Sequence, residues 1–211
     1  MKKRLQFNKP NVLTLSAALV ITYLFCLPSV SHAQTHQHEW TTIEQVLISE
    51  QDNAFRSTIH SLEYPVLGNS DTLSVHEFVQ ADELTLLWYF AAWCWNCNQE
   101  ISNLNNMYQQ FNDQGFQILG IGLYSPLEDL ETFRRDNEVN FPIVVGPSQV
   151  KELDTRDLTA HYKLRQMVGD QRTWGTPFNI FIDTGDEVTI YAAPGEIREP
   201  ALRKFIRSRL R

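Results

Sequence analysis

Two cysteines separated by two residues are the part of the sequence best suited to chemistry. Cys94 and Cys97 lie in the segment AAWCWNCNQE, residues 91–100, among tryptophans. A pair with this spacing serves as a structural disulfide, as half of a metal site, or as a redox-active dithiol. The rest of the chain must decide among the three.

The structural and metal uses are both disfavoured. On the chain-entropy model a bridge across so short a loop restricts the unfolded state by roughly 2 kcal/mol, against about 4.7 kcal/mol for a hundred-residue loop. A structural zinc site needs four ligands, and the third cysteine, Cys26, lies in an N-terminal apolar run. The candidate histidines are scattered along the chain, at His36, His38, His60, His76 and His161. We therefore predict no metal at the pair.

The redox use fits the position of the pair. Apolar residues recur at helical spacing after Cys94, so this cysteine lies at a predicted helix start. There the free N–H groups and the positive end of the helix dipole favour a thiolate. Cys97 lies one turn later on roughly the same side, within reach of a disulfide. We predict that Cys94 is the nucleophile and that Cys97 resolves the mixed disulfide.

Apolar runs and turn residues predict the elements that position the pair. Residues 84–90 and 116–122 have the composition of strands covered on both faces, and Gly115 ends the helix between them. Thr41 with Glu44 is predicted to cap an earlier helix. The remaining predictions are a hairpin over 63–75 turning at Gly68-Asn69, a helix with Ser125 as N-cap, an edge strand at 141–145, a helix over 151–163, a hairpin over 178–192 and a final helix over 199–211. This order indicates an α/β domain with a mixed central sheet.

The N-terminus has the pattern of a secretory signal peptide. A basic start is followed by an apolar run from Val12 to Leu27 and by small residues at Ser31 and Ala33, so we predict cleavage after Ala33. An uncleaved anchor is the alternative. As a helix, however, the run is about 24 Å long, short of the roughly 30 Å hydrocarbon core. Export would place the cysteine pair in an oxidising compartment.

Charge argues against a nucleic-acid partner. The chain of 211 residues has a formal net charge of −7, and residues 1–33 contribute four positive charges and no negative one. The mature chain would therefore carry −11. An acidic surface repels phosphate groups, so we predict no nucleic-acid binding.

The W-C-x-x-C segment after an apolar strand and the downstream segment GTPFNIFIDTGDEV together resemble the thioredoxin-fold thiol–disulfide oxidoreductases. The resemblance is to the TlpA/ResA-like branch of bacterial cell envelopes and runs from about Tyr64 to Leu210. It implies a thioredoxin-like fold with an N-terminal hairpin extension, no cofactor, a protein or peptide disulfide as substrate, and a membrane electron donor for re-reduction. The predicted organisation is then a signal peptide at 1–33, a partly disordered extension at 34–63, and a thioredoxin-like domain at 64–211, located in the periplasm or cell envelope.

The resemblance also implies site residues. Pro177 would follow a cis peptide bond and face a Cys94–Cys97 disulfide, and Thr176 would offer backbone groups to an extended substrate. Glu100 matches an acid that exchanges a proton with the second cysteine in this branch; its alternative is a solvated helix glutamate.

Three tryptophans are expected near the pair. Trp93 and Trp95 are candidates for a substrate-contacting rim, with core packing as the alternative, and Trp95 at the helix tip is expected to be exposed. Trp174 is expected to join them. Trp88 is expected in the core, at the position where thioredoxins proper have a buried aspartate, and residues 164–174 look longer than the usual connection before the cis-proline.

Several functions remain open at this stage. Reduction of protein disulfides is the leading prediction, and disulfide formation or isomerisation is the alternative. A mature N-terminus at Gln34 would place His36 third, as copper(II) ligation requires, so envelope copper handling is a further alternative. A redox-inert binding module conflicts with the intact cysteine pair. A peroxidase of the peroxiredoxin type is disfavoured because Ala91 stands where those enzymes carry a threonine.

Overall fold

A computed structural model describes residues 42–46, 50–148 and 156–210. The predicted signal peptide, the Thr41 cap and the candidate copper ligands His36 and His38 lie outside these ranges. Within them, no helix combines the length and apolar character needed to cross a bilayer.

The described part of the chain contains both strands and helices. The strands are β1 (Glu44–Gln45), β2 (Glu63–Pro65), β3 (Thr72–Ser74), β4 (Leu84–Phe90), β5 (Phe116–Gly122), β6 (Ile143–Val145), β7 (Phe178–Asp183) and β8 (Thr189–Pro194). The helices are α1 (Glu50–His60), α2 (Val75–Val79), α3 (Trp95–Phe111), α4 (Leu127–Asp136), α5 (Ala160–Met167) and α6 (Glu199–Arg209).

One mixed sheet organises the fold, with the strand order β1-β8-β7-β4-β5-β6. Strands β4, β5 and β6 run parallel, whereas β7 pairs antiparallel with both β4 and β8. Strands β2 and β3 form a separate antiparallel hairpin, with Gly68 at positive φ in its turn. The predicted α/β architecture with an N-terminal hairpin is confirmed.

Strand β4 is buried along its whole length because helices cover both faces of the sheet. Its alternate residues Leu86, Trp88 and Phe90 join the core formed with α3, α4 and α6. Leu87 and Tyr89 join the opposite core, formed with α1, α2 and α5. A strand with two buried faces explains the continuous apolar run in the sequence. The end of β4 therefore holds the cysteine pair on a rigid support.

Two predicted helix starts are wrong, and in both cases tertiary contacts explain the difference. Residues 44 and 45 form β1, which pairs with β8 at the sheet edge, because strand pairing there outweighs a weak helical pattern. Ser125 is not an N-cap: α4 begins after Pro126 with no side-chain cap. Of the predicted helix over 151–163, residues 151–155 lie outside the described ranges, and α5 begins after its N-cap Thr159.

Candidate active site

Cys94 is the N-cap of α3, four residues after the end of β4. Its backbone is extended, and its Sγ accepts a hydrogen bond of 3.3 Å from the backbone N–H of Cys97. Both cysteines are free thiols in this structure. The prediction that Cys94 lies at a helix start is confirmed.

The two thiols have opposite acidities. Hydrogen bonding from the Cys97 thiol, from the Thr176 side chain and from the backbone N–H groups of Cys97 and Asn96 outweighs burial and lowers the pKa of Cys94 to about 7. Burial, together with the neighbouring Cys94 and Glu100, raises the pKa of Cys97 well above its ordinary value. Near neutral pH Cys94 is therefore about half ionised, whereas Cys97 stays a thiol, so the negative charge of the pair lies on Cys94.

Cys94 is almost buried although it lies at a helix start. The residue retains 6% of its surface, whereas Cys97 retains none. The reason is tertiary, since the loop that carries Thr176 lies against the sulfur. Access to Cys94 is narrow, while Cys97 is closed to solvent.

The loop before Cys94 is held by side chains from the next βα connection. Ser125 Oγ accepts from the Ala92 N–H at 3.0 Å and donates to the Leu123 carbonyl at 2.9 Å. Trp93 Nε1 donates to the carbonyl of Tyr124 at 2.7 Å. The sequence pattern Ser-Pro suggested a helix cap and concealed this role. Ser125 supports the active-site loop instead.

Glu100 lies behind the pair and is completely buried. Its Oε2 accepts from Trp88 Nε1 and its Oε1 accepts from the Ile197 N–H, each at 2.9 Å. Burial, with contributions from Glu196 and Cys94, overcomes these two hydrogen bonds and raises the pKa of Glu100 to about 8. The alternative of a solvated helix glutamate is wrong. Trp88 is in the core, as predicted.

A loop with a cis peptide bond between Thr176 and Pro177 faces this arrangement. Gly195, after β8, donates its N–H to the carbonyl of Pro177 at 3.0 Å. The Thr176 side chain contributes to the lowered pKa of Cys94. The cis bond at Pro177 is as predicted, and the fold brings residues eighty positions apart to one site.

Tryptophans border the site as expected. Trp95 is 63% exposed and Trp93 is 46% exposed. Trp174 packs edge-on against Trp93, with ring centroids 5.8 Å apart. Beside Trp93 an open pocket of about 300 Å³ extends over α4, lined by Asp129, Phe133 and Asp136 among others. Neither cysteine lines this pocket, so it adjoins the reacting atoms without containing them.

The described residues offer no metal centre. Among residues 42–46, 50–148 and 156–210, no three His, Cys, Asp or Glu side chains are grouped as metal ligands. His60 and His76 do lie together, with ring centroids 4.1 Å apart. Two imidazoles alone do not make the three- or four-ligand set of a zinc site.

Comparison with known proteins agrees with this geometry. A family model described as the AhpC/TSA family matches residues 62–189. Two thiol-disulfide oxidoreductases named ResA are also similar. The one from Geobacillus thermodenitrificans is 30% identical over 57 residues, which is 27% of this chain and 33% of the relative. The one from Bacillus subtilis is 27% identical over 71 residues, which is 34% of this chain and 39% of the relative. The matches therefore span little more than a third of these relatives' lengths.

Solved structures share the fold. A secreted Mycobacterium tuberculosis disulfide oxidoreductase homologous to E. coli DsbE matches with a TM-score of 0.53 at 14% identity, covering 72% of this chain and 98% of that chain. A thioredoxin-family thiol:disulfide interchange protein from Chlorobium tepidum matches with a TM-score of 0.55 at 15% identity, covering 71% and 93%. The predicted thioredoxin-like fold is confirmed.

Proposed function

This chain belongs to the AhpC/TSA family, and from that membership together with the geometry of the cysteine pair we propose that the protein is a thiol–disulfide oxidoreductase. The observation that carries the proposal is the contrast between the two thiols. Cys94 has a pKa of about 7 at a narrow opening, and Cys97 is a buried thiol one helical turn behind it. Such a pair supplies one nucleophile and one resolving group.

In the first step the Cys94 thiolate attacks one sulfur of a substrate disulfide. A Cys94–substrate disulfide forms, the substrate S–S bond breaks, and the other substrate sulfur leaves as a thiolate that takes a proton from solvent. Hydrogen bonds from Cys97 and Thr176 stabilise the attacking thiolate before the reaction. The pKa near 7 balances the thiolate fraction against nucleophilicity.

In the second step Cys97 must lose its proton and attack Cys94. The new bond is the Cys94–Cys97 disulfide, and the second substrate thiolate leaves. Glu100, three residues after Cys97 and with its pKa raised to about 8, is the proposed acceptor of the Cys97 proton in its ionised form, whose fraction grows as pH rises toward 8. The protein ends oxidised by two electrons and the substrate reduced by two.

The proposed substrate is a protein or peptide disulfide. The exposed rings of Trp93 and Trp95 provide apolar contact area beside Cys94. Thr176 and Pro177 provide a loop along which an extended segment can lie. This surface suits a disulfide in a polypeptide better than a small-molecule disulfide.

The proposed direction is reduction, in the periplasm or cell envelope, with re-reduction by a membrane electron donor. A thiol pKa of about 7 resembles that of thioredoxin, a reductant, more than the value near 3.5 of the oxidant DsbA. The direction is tested by equilibrating the protein with glutathione buffers. A potential of about −250 mV or lower is expected, and one near −120 mV would instead indicate a disulfide-forming oxidant.

The function itself is tested by trapping. Cys97→Ser, expressed in the envelope, should accumulate mixed disulfides through Cys94, because the resolving thiol is absent. Cys94→Ser is the matched control and should trap nothing. An inactive wild type together with an empty Cys97→Ser trap would contradict exchange chemistry. Analysis of the exported protein by mass spectrometry tests the predicted cleavage after Ala33.

A further inference from the structure

A buried ion cluster lies behind the cis-proline loop. Asp170 Oδ2 accepts from Arg165 Nε at 2.8 Å and from Arg172 Nη2 at 2.7 Å. The side chains of Arg165 and Asp170 are 0% and 2% exposed, whereas that of Arg172 is 37% exposed. Although burial by itself raises the pKa of Asp170, hydrogen bonds from Arg172 and Arg165 outweigh it and hold that pKa well below its ordinary value. The carboxylate is therefore ionised and shared by two cations.

The exposed member of this cluster also binds the loop itself. Arg172 Nη2 donates to the carbonyl of Gly175 at 3.2 Å and to the carbonyl of Pro177 at 3.0 Å. These carbonyls flank Thr176 on both sides. Arg172 thus joins the ion cluster to the two residues that surround the predicted substrate-binding position.

Thr176 differs from its neighbours. Its side chain is near enough to Cys94 to lower the pKa of that thiol, but its backbone N–H and carbonyl make no hydrogen bond to any residue in the described part of the chain. Thr176 is half-buried, so it lies at the edge of the site. Unpaired backbone groups at such an edge can pair with an extended peptide.

We propose that Arg172 is a positioning residue that holds the carbonyls of Gly175 and Pro177 so that the backbone of Thr176 faces an incoming peptide beside Cys94. The inference rests on the proposed function. Fixing the loop before binding lowers the entropy lost when a peptide pairs with it. Arg172 touches neither the reacting sulfurs nor, on this view, the scissile disulfide.

The fold does not depend on this contact. If Arg172 is replaced, Asp170 keeps its buried partner Arg165, and the Asp170 N–H still donates to the carbonyl of Arg165 at 3.0 Å. The replaced side chain is the most exposed of the three. We therefore expect Arg172→Gln and Arg172→Lys to fold.

The test compares two substrates and one reagent. For a peptide disulfide in an extended segment, Arg172→Gln should lower kcat/KM by about 10- to 100-fold, mainly through KM, because the loop is misplaced. For a small aromatic disulfide, and for alkylation of Cys94 by iodoacetamide, the rate should change less than about twofold, since these reagents need no backbone pairing. Arg172→Lys, which keeps a donor but loses the planar fork, should lie between Gln and wild type.

Arg203→Gln is the matched control. Arg203 is also partly exposed and paired with an acid, Glu199, but its other partner is Gln110 at the far end of α3 from Cys94. This variant should match wild type on both substrates.

Other outcomes would overturn the proposal. The proposal is wrong if Arg172→Gln lowers kcat/KM equally for both disulfides, or if it leaves the kinetics with the peptide disulfide unchanged. It is also wrong if both Arg172 variants fail to fold, because Arg172 would then be required for the fold itself. Failure of the proposed function is distinguishable, because wild type would then act on neither disulfide.

Discussion

At the residue scale, position alone makes two identical side chains chemically different. Cys94 caps a helix and collects hydrogen bonds, so its pKa falls to about 7. Cys97 lies inside the helix beside a buried acid, so its pKa rises. The strongest effect on Cys94 comes from Cys97 itself. In the proposed mechanism the second cysteine therefore activates the first before it resolves the intermediate.

Removing that hydrogen bond should make Cys94 less acidic. In Cys97→Ala the pH midpoint of Cys94 alkylation should move upward from about 7, because the thiol that donates to it is gone. Cys97→Ser keeps a donor and should stay closer to wild type. The measurement is the rate of iodoacetamide alkylation against pH, read by mass spectrometry. Equal midpoints in the two variants would refute this cause.

Glu100 should make stability fall as pH rises. Its pKa of about 8 in the folded state lies above its ordinary value of 4.5. Below that ordinary value the carboxyl is protonated in both states. As pH rises toward 8 the unfolded state loses the proton first, so the free energy of unfolding decreases.

Glu100→Gln cannot ionise at this position and should lack this dependence. Its altered hydrogen bonds add a cost that does not change with pH. The free energy of unfolding of the variant, relative to that of wild type, should therefore increase between pH 5 and pH 9. Urea unfolding at several pH values measures the difference. Glu128→Gln, at an exposed position on α4, is the control. A constant difference across the range would mean that the burial of Glu100 does not set its pKa.

At the element scale, the segment between α5 and β7 is constrained by close packing. Gly175 has a φ of +65°, and a Cβ at this position would overlap the guanidinium of Arg165. Gly169, in the same segment, has a φ of +75° but no atom within 4 Å of an added Cβ. Comparing substitutions at these two glycines therefore distinguishes the cost of positive φ from the cost of steric overlap.

Gly175→Ala should therefore destabilise the protein more than Gly169→Ala. The strain of positive φ is common to both, and only Gly175→Ala must also displace Arg165 from Asp170. We expect an additional loss of about 1–3 kcal/mol, typical of overpacking, measured by urea unfolding. Comparable losses in the two variants would show that Arg165 moves aside freely.

At the scale of the whole molecule, the proposed direction of electron flow depends on the relative stabilities of the oxidised and reduced proteins. A reductant is a protein whose oxidised form is favoured, whereas a strong oxidant has a stabilised reduced form. Hydrogen bonds stabilise the Cys94 thiolate of the reduced form, but a pKa of about 7 leaves Cys94 largely protonated at pH 6.

The oxidised protein should therefore unfold at higher urea than the reduced protein at pH 6. The expected gain is about 2 kcal/mol from closing the short loop. Urea unfolding of the oxidised and reduced proteins measures this difference. The double variant Cys94→Ser/Cys97→Ser, which cannot form the disulfide, is the control and should unfold alike under oxidising and reducing conditions. A more stable reduced form would reverse the proposed direction.

Local spacing was sufficient to predict the buried strands β4 and β5, the hairpins, the helix start at Cys94 and the exposure of Trp95, because these depend on neighbours in the chain. The resemblance of the GTPF segment supplied the cis bond at Pro177. Other features depend on partners far away in sequence: Glu100 is buried by Trp88 and by Ile197, and Ser125 binds the loop at Ala92. Likewise, Arg172 holds the carbonyls around Thr176 only because Asp170 and Arg165 anchor it from behind. The sequence by itself was sufficient to place Cys94 at a helix start and so to propose which sulfurs react, since a helix start is a local property. The tertiary structure decided their acidity and their support, since burial and long-range hydrogen bonds exist only after folding.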